Sequence, residues 1–153
     1  MGIPRYFKNE KRIHHEKGFT LVEILLATCI LSVGLLAVAS LQAAAIKGNY
    51  FADKVSNGST WAADTMEKLI SAAYEDYNDA NLLDTDGDGD SGLEDATAAE
   101  ADYQQTQGDY TIYWNISDNA VLNNTKTICV IVTWDDHGVV KQVVMQHVVP
   151  RMS

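Results

Sequence analysis

Residues 17–46 read KGFTLVEILLATCILSVGLLAVASLQAAAI. From Phe19 to Ile46 the one charge is Glu23, and from Ile24 to Ile46 there are 23 residues with none. A helix needs about 20 apolar residues to cross a bilayer. The run is apolar on every face, so it requires lipid or a wholly apolar packing environment. Before it, Arg5, Lys8, Lys11, Arg12 and Lys17 outweigh Glu10 and Glu16 by three charges. Basic residues ahead of a first span hold that end in the cytoplasm, which sends the rest of the chain to the other side.

Three readings of this segment compete. A secretory signal peptide has a short apolar core and then a small-residue cleavage site; here the run is too long, and Ala43-Ala44-Ala45 comes only at its end. A lipoprotein signal would use Leu26-Ala27-Thr28-Cys29. Thr28 is a poor fit in that box, Glu23 interrupts the apolar core, and the chain stays apolar well past Cys29. The third reading turns on Glu23. A carboxylate in a spanning helix is a functional group by default and calls for a partner. The plainer account puts Glu23 at headgroup level near the helix start, where the helix dipole favours it.

Lys17-Gly18-Phe19-Thr20-Leu21-Val22-Glu23, after a basic leader and ahead of a long apolar run, resembles the processing site of type IV prepilins. The resemblance implies cleavage by prepilin peptidase between Gly18 and Phe19, N-methylation of Phe19, and a leader of residues 1–18. It also implies that Glu23, fifth in the mature chain, pairs with the N-terminal amine of a neighbouring subunit. Such a buried pair would set axial register, because a misplaced subunit leaves both charges unpaired. An 18-residue leader is longer than in the commonest subclass.

After Ile46 polarity rises while helical spacing persists. Ala62, Met66, Leu69, Ala73 and Tyr77 recur at three- and four-residue steps, with Trp61, Ile70 and Tyr74 widening the stripe. This predicts either one long helix or two abutting ones over about 19–78, apolar through 19–46 and amphipathic through 47–78, with Gly48 and Asn57-Gly58-Ser59 as points where it can bend.

Residues 84–95, DTDGDGDSGLED, fit the calcium-loop pattern D-x-[DN]-x-[DN]-G-x5-E closely. Asp84, Asp86 and Asp88 take positions 1, 3 and 5, and Gly89 takes position 6, where the chain turns sharply. Asp90 at position 7 would offer its carbonyl. Asp95 stands at position 12, with Glu94 as its substitute. Calcium is a hard cation that collects six to eight oxygens, and alternate carboxylates on a tight loop converge on one point. Asp in place of Glu at position 12 and Ser91 at position 8 make the loop similar to dockerin-type or thrombospondin-type calcium loops rather than to a classical EF-hand. The expectation is a structural Ca²⁺ on Asp84, Asp86, Asp88, Asp90 and Asp95; the competing account is a solvated acidic linker.

Residues 96–108 read as a short helix or a loop. Strands are expected over Tyr110–Ile116, Thr127–Trp134 and Val139–Val149, with Asp135-Asp136-His137-Gly138 as a turn. The class is therefore α+β: a long N-terminal helix laid on a small antiparallel head over 109–150, the type IV pilin plan. The Val-Thr-Trp strand, turn and Val-rich strand, together with Met66-Glu67-Lys68-Leu69, resemble minor pilins of the pilus modification protein V group.

Formal net charge is −10 over 153 residues, and the chain after residue 18 carries −13, which argues against nucleic-acid binding. Cys29 and Cys129 are expected to remain unpaired, one within the apolar run and the other in a strand. No nucleotide loop, zinc spacing or nucleophile–base arrangement occurs, so an enzyme is not expected. The expected role is a structural minor pilin that resides in the inner membrane and then in a filament. Its expected partners are prepilin peptidase, other pilin or pseudopilin subunits, and membrane lipid before assembly. A pseudopilin of a type II secretion system is the nearest rival; a membrane-anchored calcium-binding module or adhesin is the rival of another class.

Overall fold

The computed structural model describes residues 18–151, so most of the expected leader, residues 1–17, lies outside the described residues. Within those residues the order is one α-helix, α1 (Leu21–Glu75), and then four strands: β1 (Tyr103–Gln107), β2 (Tyr110–Asp118), β3 (Thr125–Asp136) and β4 (Val139–Pro150). Short 3₁₀ turns occupy Ala80–Leu82 and Gly89–Gly92. The chain divides into two compact units, residues 1–46 and 47–153.

In the first unit every described residue is exposed. Phe19 and Leu21 each show 77% of their surface. The hydroxyls in this segment bond to their own helix: Thr28 donates to the Leu25 carbonyl (2.9 Å), Ser32 to Thr28 (2.7 Å) and Ser40 to Leu36 (3.0 Å). That disposes of three side-chain donors that hydrocarbon could not satisfy.

In the second unit α1 buries Ala62, Met66, Leu69 and Ala73 of the expected stripe and Gly58 as well, but it ends at Glu75, so Tyr77 lies beyond it in a turn. The stripe packs on Tyr110, Ile112, Ile116, Ile128, Val130, Val132 and Trp134 of β2 and β3. Burying a Leu or Met side chain contributes about 1.5–3 kcal/mol, so this seam supplies much of the head's cohesion. Gly58 lets the sheet approach closely, since a Cβ there would sit 3.2 Å from the Trp134 ring. α1 passes through both Gly48 and Gly58 as one helix, so neither ends it. Tyr74, expected in the stripe, is half exposed.

The sheet is an antiparallel meander, β1-β2-β3-β4. It has four strands rather than three: the stretch left open between helix and loop supplies β1, which pairs Tyr103 with Trp114 and Gln107 with Tyr110. β3 is buried on both faces from Thr125 to Trp134. Its Ile128, Val130, Val132 and Trp134 pack with the α1 stripe. On its other face lie Thr127, Cys129 and Ile131, in register with Ser117, Asn115 and Tyr113 of β2. The acidic segment is tied to that second face through Asn115, whose amide donates to the Asp95 carbonyl at 2.8 Å.

Candidate functional site

Two places carry chemistry beyond packing. The first is the start of α1. Thr20 caps it: its Oγ1 accepts from the Glu23 amide at 3.2 Å, and its carbonyl accepts from the amides of Glu23 (3.1 Å) and Ile24 (3.2 Å). The Thr20-x-x-Glu23 spacing is that of a capping box. Glu23 thus occupies the first turn, where the helix dipole favours a carboxylate. Phe19, Glu23, Ile24, Ala27, Thr28 and Leu31 line one shallow groove along the helix. Among the described residues, no hydrogen bond or ion pair engages the Glu23 carboxylate. An acid set among apolar side chains calls for a partner.

The second place is the acidic loop. The carboxylates of Asp84, Asp86 and Asp88 each offer an oxygen within 4.8 Å of the others. The backbone makes this convergence. Asp84 accepts from the amides of Gly87 (2.7 Å) and Gly89 (3.0 Å), and Asp86 accepts from Asp88 at 3.2 Å. Gly89 has φ +61°, the left-handed turn that position 6 requires. Partial desolvation first, then the adjacent Asp86 carboxylate and the charges of Asp95 and Asp84, push Asp88 up to about 6. The donor set is all oxygen and rich in charge, which suits a hard divalent cation.

The remaining predicted ligands separate. Asp90 turns one carboxylate oxygen to the sheet, accepting from Ser117 Oγ at 2.6 Å, and it lies outside the three-carboxylate cluster. Asp95 lies outside the three-carboxylate cluster, yet its charge acts on Asp88. Glu94 acts instead on Cys129, whose thiol is pushed up to about 11, chiefly by burial and secondarily by that carboxylate.

Sequence reasoning missed what anchors the loop. Asp102 accepts from the Ile116 amide (2.8 Å) and from Thr85 Oγ1 (2.9 Å), clamping the loop's entry to β2. It also missed Lys126, whose side chain is 2% exposed. Its Nζ donates to the Leu82 carbonyl at 2.7 Å, pairs with Asp118 at 3.0 Å and lies over the Tyr77 ring. The signal was present: a lysine inside the otherwise uncharged run Thr125–Trp134 needs buried partners.

Residues 13–39 match the family model for the prokaryotic N-terminal methylation motif. The chain carries a prepilin-type N-terminus. The match takes in Gly18, Phe19, Glu23 and the apolar run as far as Ala39. It implies processing by a prepilin peptidase and assembly with other pilin-type subunits, and it agrees with a membrane-anchored chain that later enters a filament. No curated protein and no solved structure matches the chain significantly.

Proposed function

We propose that the protein is a minor type IV pilin, most like the pilus modification protein V group. Prepilin peptidase cleaves between Gly18 and Phe19, and Phe19 is N-methylated. The apolar half of α1 then leaves the inner membrane for the filament core, where Glu23 pairs with the Phe19 amine of a neighbouring subunit. The observation that carries this reading is the methylation motif at the start of a helix whose first half, through Ile46, buries no side chain, with one carboxylate in its first turn. Replacing Glu23→Ala tests it: membrane insertion is expected to continue while recovery in sheared filaments is lost. Normal recovery of that variant would refute the pairing.

The head carries a structural calcium ion in this proposal. Asp84, Asp86 and Asp88 would hold it, with the Asp90 carbonyl and Asp95 completing the set, and the ion would neutralise the mutual repulsion of these acids. The convergence of three carboxylates within 4.8 Å supports the assignment. Outside the cell an affinity of about 10⁻⁴–10⁻³ M suffices.

A further inference from the structure

The two ends of the sheet stand differently toward α1. One end carries the β1–β2 turn at Gly108-Asp109 and the β3–β4 turn at His137-Gly138. The other carries the β2–β3 connection with exposed Val121 and Leu122, a strand length of about 25 Å away. On α1, Lys47, Tyr50, Phe51 and Lys54 fall at steps of three and four on one face, with Tyr50 and Phe51 nearly half exposed. That face meets the first end. The Tyr50 and His137 rings pack edge to face with centroids 6.2 Å apart, Lys54 pairs with Asp109 at 2.8 Å, and the Tyr110 hydroxyl donates to the Lys54 carbonyl at 3.1 Å. Just past the β3–β4 turn, Val139 is 54% and Val140 70% exposed.

We propose that this end of the head is seated in the phospholipid headgroup layer of the inner membrane, on the side away from the cytoplasm, while the subunit awaits assembly. The proposal rests on the membrane-resident reading above and is independent of the calcium ion and of the pilin subgroup. Two observations select a lipid surface, and a third fixes its kind. The first is level. Ile46 closes the apolar run, and Tyr50 stands four residues later on the same helix, a rise of about 6 Å. The headgroup layer outside the hydrocarbon is about 5–7 Å thick on each side. With Ile46 at the hydrocarbon edge, Tyr50 lies in that layer, and so does the turn that touches its ring.

The second is side-chain type. Tyr collects at membrane interfaces because its ring is apolar and its tip polar, and Lys lays its stem on apolar surface while its ammonium reaches the headgroups. Lys47 is the first charge after the run, and Tyr50-Phe51 follow it on the same face. Val139 and Val140 add apolar surface at the same level.

The third is charge. Around this end Lys47, Lys54 and Lys141 stand against Asp53, Asp109, Asp135 and Asp136, so it carries no excess of positive charge. Anionic lipid attracts polybasic segments, and this end is not one. Aromatic and apolar burial therefore does the seating, and zwitterionic lipid serves as well as anionic.

Spin-label depth in vesicles tests this. In the full-length chain with Cys29→Ser, Leu36→Cys, Val140→Cys and Val121→Cys are made one at a time, labelled with a nitroxide and reconstituted in phosphatidylethanolamine with phosphatidylglycerol. All three positions are exposed, and buried Cys129 stays unlabelled. Collision with oxygen reports lipid around the label, and collision with a nickel chelate reports water. The expected order is Leu36 in hydrocarbon, Val140 at intermediate depth and Val121 fully in water. Tyr50→Ser with Phe51→Ser should shift Val140 to the Val121 value and leave Leu36 unmoved, and vesicles of phosphatidylcholine alone should leave Val140 where it was. Leu36 in hydrocarbon with Val140 as wet as Val121 overturns the seat and leaves the membrane span intact. Leu36 in water overturns both. Val140 held only when phosphatidylglycerol is present, or unmoved by the double substitution, also overturns the proposal, as does Val121 embedded as deeply as Val140.

Discussion

Between Leu21 and Ile46 α1 buries no side chain, whereas between Lys47 and Glu75 the same helix buries Gly58, Ala62, Met66, Leu69 and Ala73. The first stretch is the more apolar and the less buried. Intrinsic hydrophobicity therefore does not decide which part of this helix packs within its own chain. What decides it is the width of the apolar surface: a stripe matches one face of a sheet, while a helix apolar all round matches only lipid or several other helices. The head is held by its own contacts, and the N-terminal half awaits contacts from other molecules.

The contrast is sharpened by substituting equivalent residues in each half. Leu69→Ala removes a side chain wedged against the sheet and is expected to destabilise the head by about 2–5 kcal/mol. Leu36→Ala should change it by less than about 0.5 kcal/mol. Both are read by urea unfolding of the full chain in detergent, with Trp61, Trp114 and Trp134 as probes, all of them in the second unit. Equal effects would erase the distinction between the halves.

Next in size is Lys126→Met. It keeps the aliphatic stem but leaves the Leu82 carbonyl without its donor, at an expected cost of about 1–3 kcal/mol. An unchanged midpoint would show that water reaches that carbonyl.

Calcium tests whether the head is self-sufficient. For a dissociation constant of about 10⁻⁴–10⁻³ M, adding about 2 mM calcium should stabilise the fold by about 0.6–1.8 kcal/mol. Chelation should reverse the gain, and Asp86→Asn combined with Asp88→Asn should abolish it. The same gain in that double variant would place the ion elsewhere.

The smallest effect concerns the thiols. Cys129 is buried, and with its thiol pushed up to about 11 almost no thiolate exists at pH 8. Raising the pH toward 11 supplies the reactive form, so labelling should stay negligible at pH 8 and rise only on unfolding or at strongly alkaline pH. Ready alkylation of native protein at pH 8 would mean that the second face of the sheet opens.

Much of this architecture was legible before any coordinates. Charge and periodicity marked both halves of α1, because a bilayer-length run and a three-four stripe are local patterns. β2, β3 and β4 showed themselves through their β-branched and aromatic residues. β1 did not: Tyr103-Gln-Gln-Thr-Gln has no apolar alternation, and it becomes a strand only because β2 offers an edge and Gly108-Asp109 turns the chain onto it. At the acidic loop the spacing of Asp84, Asp86 and Asp88 foretold their convergence. The capture of Asp90 by Ser117 and the clamp at Asp102 depend on residues 14 to 27 positions away, a distance no local pattern spans.

The central claim is that the apolar half of α1 belongs to a processed, filament-forming subunit. Intact mass of the protein made with and without a prepilin peptidase tests this most directly. The account predicts, with the peptidase, a chain beginning at Phe19 and carrying one added methyl group, and without it the full-length precursor. A chain that keeps residues 1–18 in the presence of the peptidase, or that carries a lipid on Cys29, would contradict it.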